Sequence, residues 1–197
     1  MGRVKFLKFA ITNQRYNTRM TMQNTSEFSQ WMQKGPLGRV RRNHALEHAT
    51  LQVLAEQNTQ TRAAGYSDAH GFWLVGQLET TAVERAVQMA LIRMQAGEHA
   101  LAIHPNCGTN IVTAGFMAGT AAWLAMLGGN SRSWRDRLDR WPLVISLVTF
   151  ALILAQPIGP QLQARFTTSS AVQDLRIVRI ERNQRGEMPL HRILTEG

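Results

Sequence analysis

The stretch RRNHALEHATLQVLAEQ, from Arg41 to Gln57, places two histidines four residues apart with a glutamate directly before the second. A Gly-Pro-Leu-Gly sequence punctuates the chain just upstream, and we predict a helix from Arg39 to Gln57. At about 100° per residue, one side of this helix combines polar and apolar residues. They are Val40, His44, Glu47, His48, Leu51, Leu54 and Ala55. Buried ionisable residues are costly unless they are paired or ligated, so the polar trio needs partners.

His44, Glu47 and His48 have the spacing of a metal site. Imidazoles one helical turn apart can bind the same ion, and the glutamate beside them can reach a water on that ion. The order H-x-x-E-H resembles the helix of inverzincin metallopeptidases. That resemblance implies zinc, Glu47 as general base, and a downstream Glu as third ligand, for which the chain offers Glu79, Glu84 and Glu98. The alternative is a buried hydrogen-bonded cluster that stabilises a small domain.

A second polar cluster, HPNCGTN, runs from His104 to Asn110. His104 and Cys107 have the spacing of a metal clip, and either can supply a third ligand to His44 and His48. Cys107 is also a candidate nucleophile near a helix N-terminus, where the helix dipole lowers the pKa of a thiol. The remaining alternative is a plain turn that ends in an N-cap.

The other histidines carry less weight. His70 has Asp68 nearby and is a weaker candidate for a site, while His99 and His191 are interpreted as surface residues. The chain has one cysteine, which excludes an intrachain disulfide and agrees with a reducing compartment.

Composition and charge direct attention to a membrane. The chain has 197 residues, of which 44% are hydrophobic and 18% charged, as in folded proteins. Its net charge of +9 suits either nucleic acid or anionic lipid. Two uncharged segments, Ile111 to Gly128 and Trp141 to Gln161, have about the length of a membrane span. The lipid bilayer is therefore the expected partner, and nucleic acid is not expected.

These two segments predict a transmembrane hairpin. Small residues of the first segment form a surface that lets the second approach closely, namely Gly115, Ala118, Gly119 and Ala122. Two prolines in QPIGP are expected to stop the second span. The alternative is a pair of buried helices in a soluble domain.

Orientation depends on two opposing signals. The loop GNSRSWRDRLDR carries four arginines, which the positive-inside tendency places in the cytoplasm. The N-terminal region, however, has no apolar stretch of signal-peptide length. We therefore expect a protein of the bacterial inner membrane with its soluble part and both termini in the cytoplasm. Trp134 and Trp141 would then be interfacial anchors on the far side.

The predicted fold class is α+β. Residues 1–35 are interpreted as a flexible basic extension, and residues 36–110 as a domain of one helix plus a strand-helix-strand unit. In that unit TQTRAAGYSDAHG is a loop, FWLVGQLE and ALAIH are strands, and the helix is capped by Thr80 or Thr81 and ends near Gln95 before Gly97. Residues 111–161 form the hairpin. Residues 162–197 supply a short C-terminal strand, DLRIVRIERN, that can join the same sheet.

The motifs NHALEHATL, HPNCGTN, QPIGPQLQ and TTSSAVQDLRIVRI together resemble a bacterial family of small membrane proteins described only as a domain of unknown function. The likeness covers roughly residues 36–195 and implies membrane localisation but no activity. Two functions remain open. One is a membrane-anchored, zinc-dependent, peptidase-like hydrolase with His44 and His48 as ligands and Glu47 as base. The other is a non-catalytic membrane subunit or scaffold that docks other membrane proteins or peptides, in which the same His, Glu and Cys residues form a structural metal site or a hydrogen-bond network. Thiol chemistry at Cys107 is a third alternative.

Overall fold

A computed structural model describes residue 33 and residues 35–58, 62–127, 138–185 and 188–197; of residues 184, 185 and 188 it describes the backbone alone. The chain divides into two compact units. The first consists of Met1–His104 together with Phe166–Gly197, and the second of Pro105–Arg165. Each unit is described by itself below.

The first unit begins with helix α1, Gly35–Gln57. Gly35 adopts a φ of 66°, which glycine tolerates without strain, and the proline after it has its φ preset for a helical first turn. The predicted helix is confirmed and starts four residues earlier than expected. Ala45, Leu46 and Ala49 are fully buried, so this face of α1 packs into the core.

A four-stranded antiparallel sheet has the order β1-β2-β4-β3. Its strands are β1 (Ala63–Asp68), β2 (Gly71–Gly76), β3 (Arg176–Arg185) and β4 (Met188–Glu196). Phe72 and Leu74 of β2 and Ile193 of β4 are buried in the core that the sheet shares with the helices. The mixed helix and strand class is thus confirmed.

Strand β1 occupies a segment that we expected to be a loop. The sequence AAGYSD lacks the hydrophobic alternation of a half-buried strand because its inner positions are small or polar. It pairs with β2 through a tight turn, in which the backbone N–H of His70 donates to the Asp68 carboxylate. The first residues of the predicted loop, 59–61, lie outside the described part of the chain.

Helix α2, Thr80–Gln95, confirms the second predicted helix. Its N-cap is Glu79 rather than either threonine, without a side-chain capping bond. Gly97 follows with a φ of 101°, in the left-handed region that favours glycine after a helix. The helix buries Val83, Ala86 and Val87 against the core.

The predicted strand ALAIH is wrong. Residues His99–Ala102 form a short 3-10 turn instead. Side chains of α1 bind the carbonyl groups of Leu101, Ala102 and Ile103, so this backbone has no need of a neighbouring strand. The sheet is completed by the C-terminal hairpin, in which the expected strand β3 joins β1 and β2 through β4.

The second unit contains helices α3 (Gly108–Met126) and α4 (Trp141–Leu162). Among the described residues, one helix is long and apolar enough to cross a membrane: Trp141–Thr167, in which α4 continues into a π-helical turn. Pro157 and Pro160 therefore do not end this helix, contrary to expectation. Proline removes one backbone donor, but the helix continues beyond Pro160 into the π-helical turn Gln163–Thr167.

The close approach of α3 and α4 does not occur at the two glycines predicted for it. A Cβ atom added at Gly115 or Gly119 would meet open space among the described residues, so these glycines do not bring the helices together. At Gly159 an added Cβ would lie 2.4 Å from the Asn110 side-chain oxygen. The close approach thus occurs at Gly159, where α4 passes the first turn of α3.

Candidate metal centre

The polar stripe of α1 is tied to two backbone segments of the first unit. His44 Nδ1 lies 3.0 Å from the carbonyl oxygen of Thr167. One turn further, His48 Nδ1 lies 2.8 Å from the carbonyl oxygen of Ala102. His48 is 2% exposed and His44 is half-buried, so the two imidazoles have unequal access to solvent.

These bonds assign the same tautomer to both rings. A carbonyl oxygen only accepts hydrogen bonds, so each Nδ1 must carry the proton and donate it. A neutral imidazole protonated at Nδ1 has its lone pair on Nε2. Metal-binding histidines are usually held in this way, with one ring nitrogen donating to a carbonyl and the other turned to the ion.

A third imidazole joins the pair within the first unit. The ring centroids of His44 and His48 are 4.3 Å apart, and those of His48 and His104 are 5.6 Å apart. Burial, together with the neighbouring His48, lowers the pKa of His104 from 6.5 to about 4. His104 is therefore neutral at pH 7, which is the form that binds metal ions.

Glu47 is held by a different element. Its Oε2 accepts a hydrogen bond of 2.5 Å from the hydroxyl group of Ser67 on β1. The strand passes directly over the carboxylate: a Cβ atom at Gly65 would lie 2.3 Å from Glu47 Oε1. Glu47 is 4% exposed, so its carboxylate is enclosed between α1 and the edge strand.

Sequence reasoning missed several polar residues around this trio. Asn43 donates to the carbonyl oxygen of Asp68 and accepts from the hydroxyl of Thr195, which ties α1 to both β1 and β4. Gln52 bonds the carbonyl oxygens of Leu101 and Ile103. Gln52 could have been found from its spacing, because it lies one helical turn after His48 on α1. Ser67 could not, because it lies on β1, which we expected to be a loop.

Cys107 belongs to the second unit, where it is buried and directly precedes α3. It is the N-cap residue of that helix by position but makes no side-chain capping bond. Its predicted roles as ligand or nucleophile stay predictions.

The other candidate residues are exposed or make their contacts away from His44, Glu47 and His48. Glu98 pairs with Arg93 at the end of α2, and Glu79 and Glu84 are exposed at the start of α2. His70 is exposed in the β1–β2 turn, 4.0 Å from the Asp68 carboxylate.

His191 contradicts its interpretation as a surface residue. It is fully buried on β4, and its Nε2 lies 3.1 Å from the hydroxyl oxygen of Thr80. His99 is half-buried rather than exposed. The misreading of His191 followed from missing strand β4, whose inward face carries His191 beside Ile193 and Thr195.

Comparison with protein families gives a match over most of the chain. The family model described as "Domain of unknown function (DUF6391)" matches residues 39–180. The chain belongs to the DUF6391 family. The resemblance to a family of unknown function is thus confirmed, and the matched range includes the α1 motif, the His104 to Asn110 segment and both apolar helices.

A relative of this DUF6391 protein occurs in Picosynechococcus sp. It is an uncharacterized protein that is 43% identical over an alignment of 99 residues, and the match covers 43% of this chain and 48% of the relative. The chain thus spans about half the length of the curated relative it matches. No solved structure matches the chain.

Proposed function

We propose that this protein is a membrane-anchored metal-binding protein whose zinc centre is built on His44 and His48. The observation that carries the proposal is the pair of Nδ1 bonds to the carbonyl oxygens of Thr167 and Ala102. They fix two neighbouring rings in the tautomer that suits a metal ion bound at Nε2.

The donor chemistry fits zinc. Zinc sites in proteins use imidazole nitrogen, thiolate sulfur and carboxylate oxygen, and a structural site is closed by four such donors. His104 is a third donor beside His48. Cys107 follows it by three residues, a length of chain that spans at most about 10 Å. On this sequence spacing Cys107 is a further candidate donor.

We further propose that the second unit inserts in the membrane as a two-helix hairpin. Large apolar side chains are exposed on both of its helices, for example Phe116 at 74% and Phe150 at 60%. An apolar surface of this kind is unfavourable in water and favourable in lipid. The lipid bilayer is the proposed partner, with other membrane proteins or peptides as further partners and the soluble part in the cytoplasm.

The enclosure of Glu47 favours a structural zinc centre over a catalytic one. A general base needs a direct or water-mediated path to the proton it accepts. The Glu47 carboxylate is instead bonded to Ser67 and covered by Gly65. In this role the centre would stabilise the first unit, as structural zinc sites do in other small domains.

A peptidase-like hydrolase is the second candidate, favoured by the H-x-x-E-H order on one helix. In that case zinc would supply Lewis-acid polarisation of a substrate carbonyl. His44 and His48 would bind the ion, and a Glu47 carboxylate oxygen would accept the proton of an attacking water. Ser67 would then orient this carboxylate.

The test is metal content. Full-length protein purified in detergent and equilibrated with Zn²⁺ should retain close to one zinc per chain by elemental analysis. His44→Ala and His48→Ala should each abolish retention, because each removes a ligand. His70→Ala is the matched control, since that histidine is exposed outside the trio. A folded wild type that retains no zinc would overturn the proposal.

A further inference from the structure

Gln52 extends the stripe of His44 and His48 by one more helical turn. Its side-chain nitrogen donates to the carbonyl oxygen of Leu101 at 2.8 Å and to that of Ile103 at 3.0 Å. Between these two carbonyls lies that of Ala102, which accepts the bond from His48 Nδ1 at 2.8 Å. Two side chains of α1 therefore hold three consecutive carbonyl groups of one segment.

We propose that Gln52 is a positioning residue of the metal centre. It holds the backbone of residues 101–103 where the Ala102 carbonyl fixes the His48 tautomer and where His104, the next residue along, faces His48. This inference rests on the proposed zinc centre, and it assigns a role to a residue that contributes no ligand atom.

The side chains of Leu101 and Ala102 in this segment pack into the core, but this packing does not satisfy the backbone carbonyl groups. The segment forms the end of the 3-10 turn His99–Ala102, and the carbonyls at the end of a helical turn have no partner within the turn. The backbone N–H groups of Leu101 and Ile103 bond upstream, to Glu98 and Ala100. Without Gln52 the carbonyls of Leu101 and Ile103 would lose a donor, and the Ala102 carbonyl between them would be held by the bond from His48 alone.

The chemistry of an amide suits this task. A glutamine amide has two N–H groups, one for each carbonyl, and it is uncharged at every pH at which the protein folds. Lysine would also donate, but it would place a cation next to imidazoles that must bind a cation. Residues that orient metal ligands typically change metal affinity by about 10- to 100-fold when they are removed.

A matched control exists in the same unit. Gln95 on α2 uses its side-chain nitrogen to bind backbone carbonyls, those of Val172, Gln173 and Leu175, at 3.2–3.4 Å. It lies outside the stripe of α1. Gln52→Met and Gln95→Met each keep the length and the helix propensity of the side chain while removing its donors. A general loss of stability should follow from either variant, whereas loss of ligand positioning should follow only from the first.

The experiment uses the full chain in detergent micelles. Zn²⁺ affinity is measured by competition with a chromophoric chelator, and the imidazole tautomers of the metal-free protein are measured by ¹⁵N NMR. We expect Gln52→Met to lower Zn²⁺ affinity by about tenfold or more and to shift His48 from the Nδ1–H form to a mixture of tautomers. Gln95→Met should change affinity by less than about twofold, within the effect expected for a site with no shared partners.

Two results would overturn the inference while the zinc centre stands: unchanged affinity and tautomer in Gln52→Met, or an equal loss of affinity in Gln95→Met. A wild type that binds no Zn²⁺ would instead overturn the zinc centre itself, and with it the role of Gln52. The two failures are thus distinguished by the wild type alone.

Discussion

Ser67 on the edge strand β1 donates a hydrogen bond to the carboxylate of Glu47 on helix α1. The three residues of the motif are therefore held by three separate parts of the chain. Glu47 is held by β1, His48 by the 3-10 turn at Ala102, and His44 by the backbone at Thr167. A substitution at each of these three residues should therefore remove a different contact of α1, so the three contacts can be tested separately.

The first prediction concerns Glu47→Gln. The amide keeps size and one acceptor, but it cannot take a proton at neutral pH and it places a buried N–H₂ beneath β1. With a structural centre we expect the free energy of unfolding to fall by about 1–3 kcal/mol, zinc to be retained, and no hydrolysis to be lost. Chemical denaturation and elemental analysis on one preparation measure both quantities.

The hydrolase gives the opposite pattern. Glu47→Gln would then fold normally but hydrolyse a broad peptide library at least about 100-fold more slowly, the usual share of general-base catalysis. Ser67→Ala is the companion variant, because it removes only the hydrogen bond to the carboxylate. Wild-type hydrolysis that disappears in Glu47→Gln with stability unchanged would refute the structural assignment.

The second prediction concerns Gly65→Ala. The added Cβ atom would lie 2.3 Å from Glu47 Oε1, closer than atoms can approach without movement. We expect a loss of about 1–3 kcal/mol in the free energy of unfolding, as for other overpacked sites. Ala64→Ser, on the exposed side of the same strand, should change stability by less than about 0.5 kcal/mol.

A double variant assigns the cause of this loss. In a Glu47→Ala background the carboxylate is gone, so Gly65→Ala should cost much less than it does in the wild type. An equal cost in both backgrounds would mean that the strand itself, rather than its contact with Glu47, rejects a larger residue.

The sequence predicts the parts of this arrangement that depend on neighbouring residues, and it does not predict the parts that depend on contacts with other elements. Helix α1 and the shared face of its polar trio were predictable because periodicity is local: His44, Glu47 and His48 share a face by spacing alone. The strand that covers them was not, since AAGYSD owes its conformation to pairing with β2 and to the small residue needed at Gly65. The partner strand β2 follows directly in the sequence, but the small and polar residues of AAGYSD leave no hydrophobic alternation that would reveal the pairing.

The segment before His104 is the opposite case, in which the sequence predicts a strand that does not form. ALAIH has the composition of a strand, yet Gln52 and His48 bind its carbonyl groups and hold it as a 3-10 turn. Tertiary hydrogen bonds thus overrode local β-propensity, as is common for short apolar runs. Both helices of the second unit were predicted, because long apolar runs decide helix formation locally, but the prolines of the second helix wrongly predicted its end.

The third prediction concerns pH and His191. Burial lowers the pKa of His191, with a smaller contribution in the same direction from Arg182 and an opposing one from Glu84. The folded state then binds this proton more weakly than the unfolded state does. Stability from the neutral ring is complete above the usual histidine pKa of about 6.5 and is lost as pH falls below it. Denaturation midpoints of metal-free protein between pH 7 and pH 5 measure the slope.

His191→Gln should reduce this slope, since the amide can still bond the Thr80 hydroxyl but does not titrate. Thr80→Ala is the control: it removes the partner and leaves the buried histidine, so the pH dependence should remain while overall stability drops. A slope that is the same in His191→Gln and the wild type would assign the pH dependence to other groups.

The last prediction decides how many helices cross the membrane. The helix Trp141–Thr167 is long and apolar enough to span by itself. The described part of α3 is less apolar, because it contains many glycine, alanine and threonine residues, and it is not found long and apolar enough to span. A span by the longer helix alone would put the two termini on opposite sides, and a hairpin would put them on the same side. We expect the hairpin, because Phe116, Trp123 and the other large side chains exposed on α3 would otherwise face water. Reporters fused to each terminus, one active only in the cytoplasm and one only outside it, should both report the cytoplasm, and the protein should resist extraction by alkaline carbonate.

Phe116→Arg on α3 and Phe150→Arg on α4 should each impair insertion, because an arginine at a lipid-facing position costs about 2.5–3.5 kcal/mol near the centre of a span. Termini on opposite sides, with insertion sensitive to Phe150→Arg alone, would show that α3 stays out of the membrane.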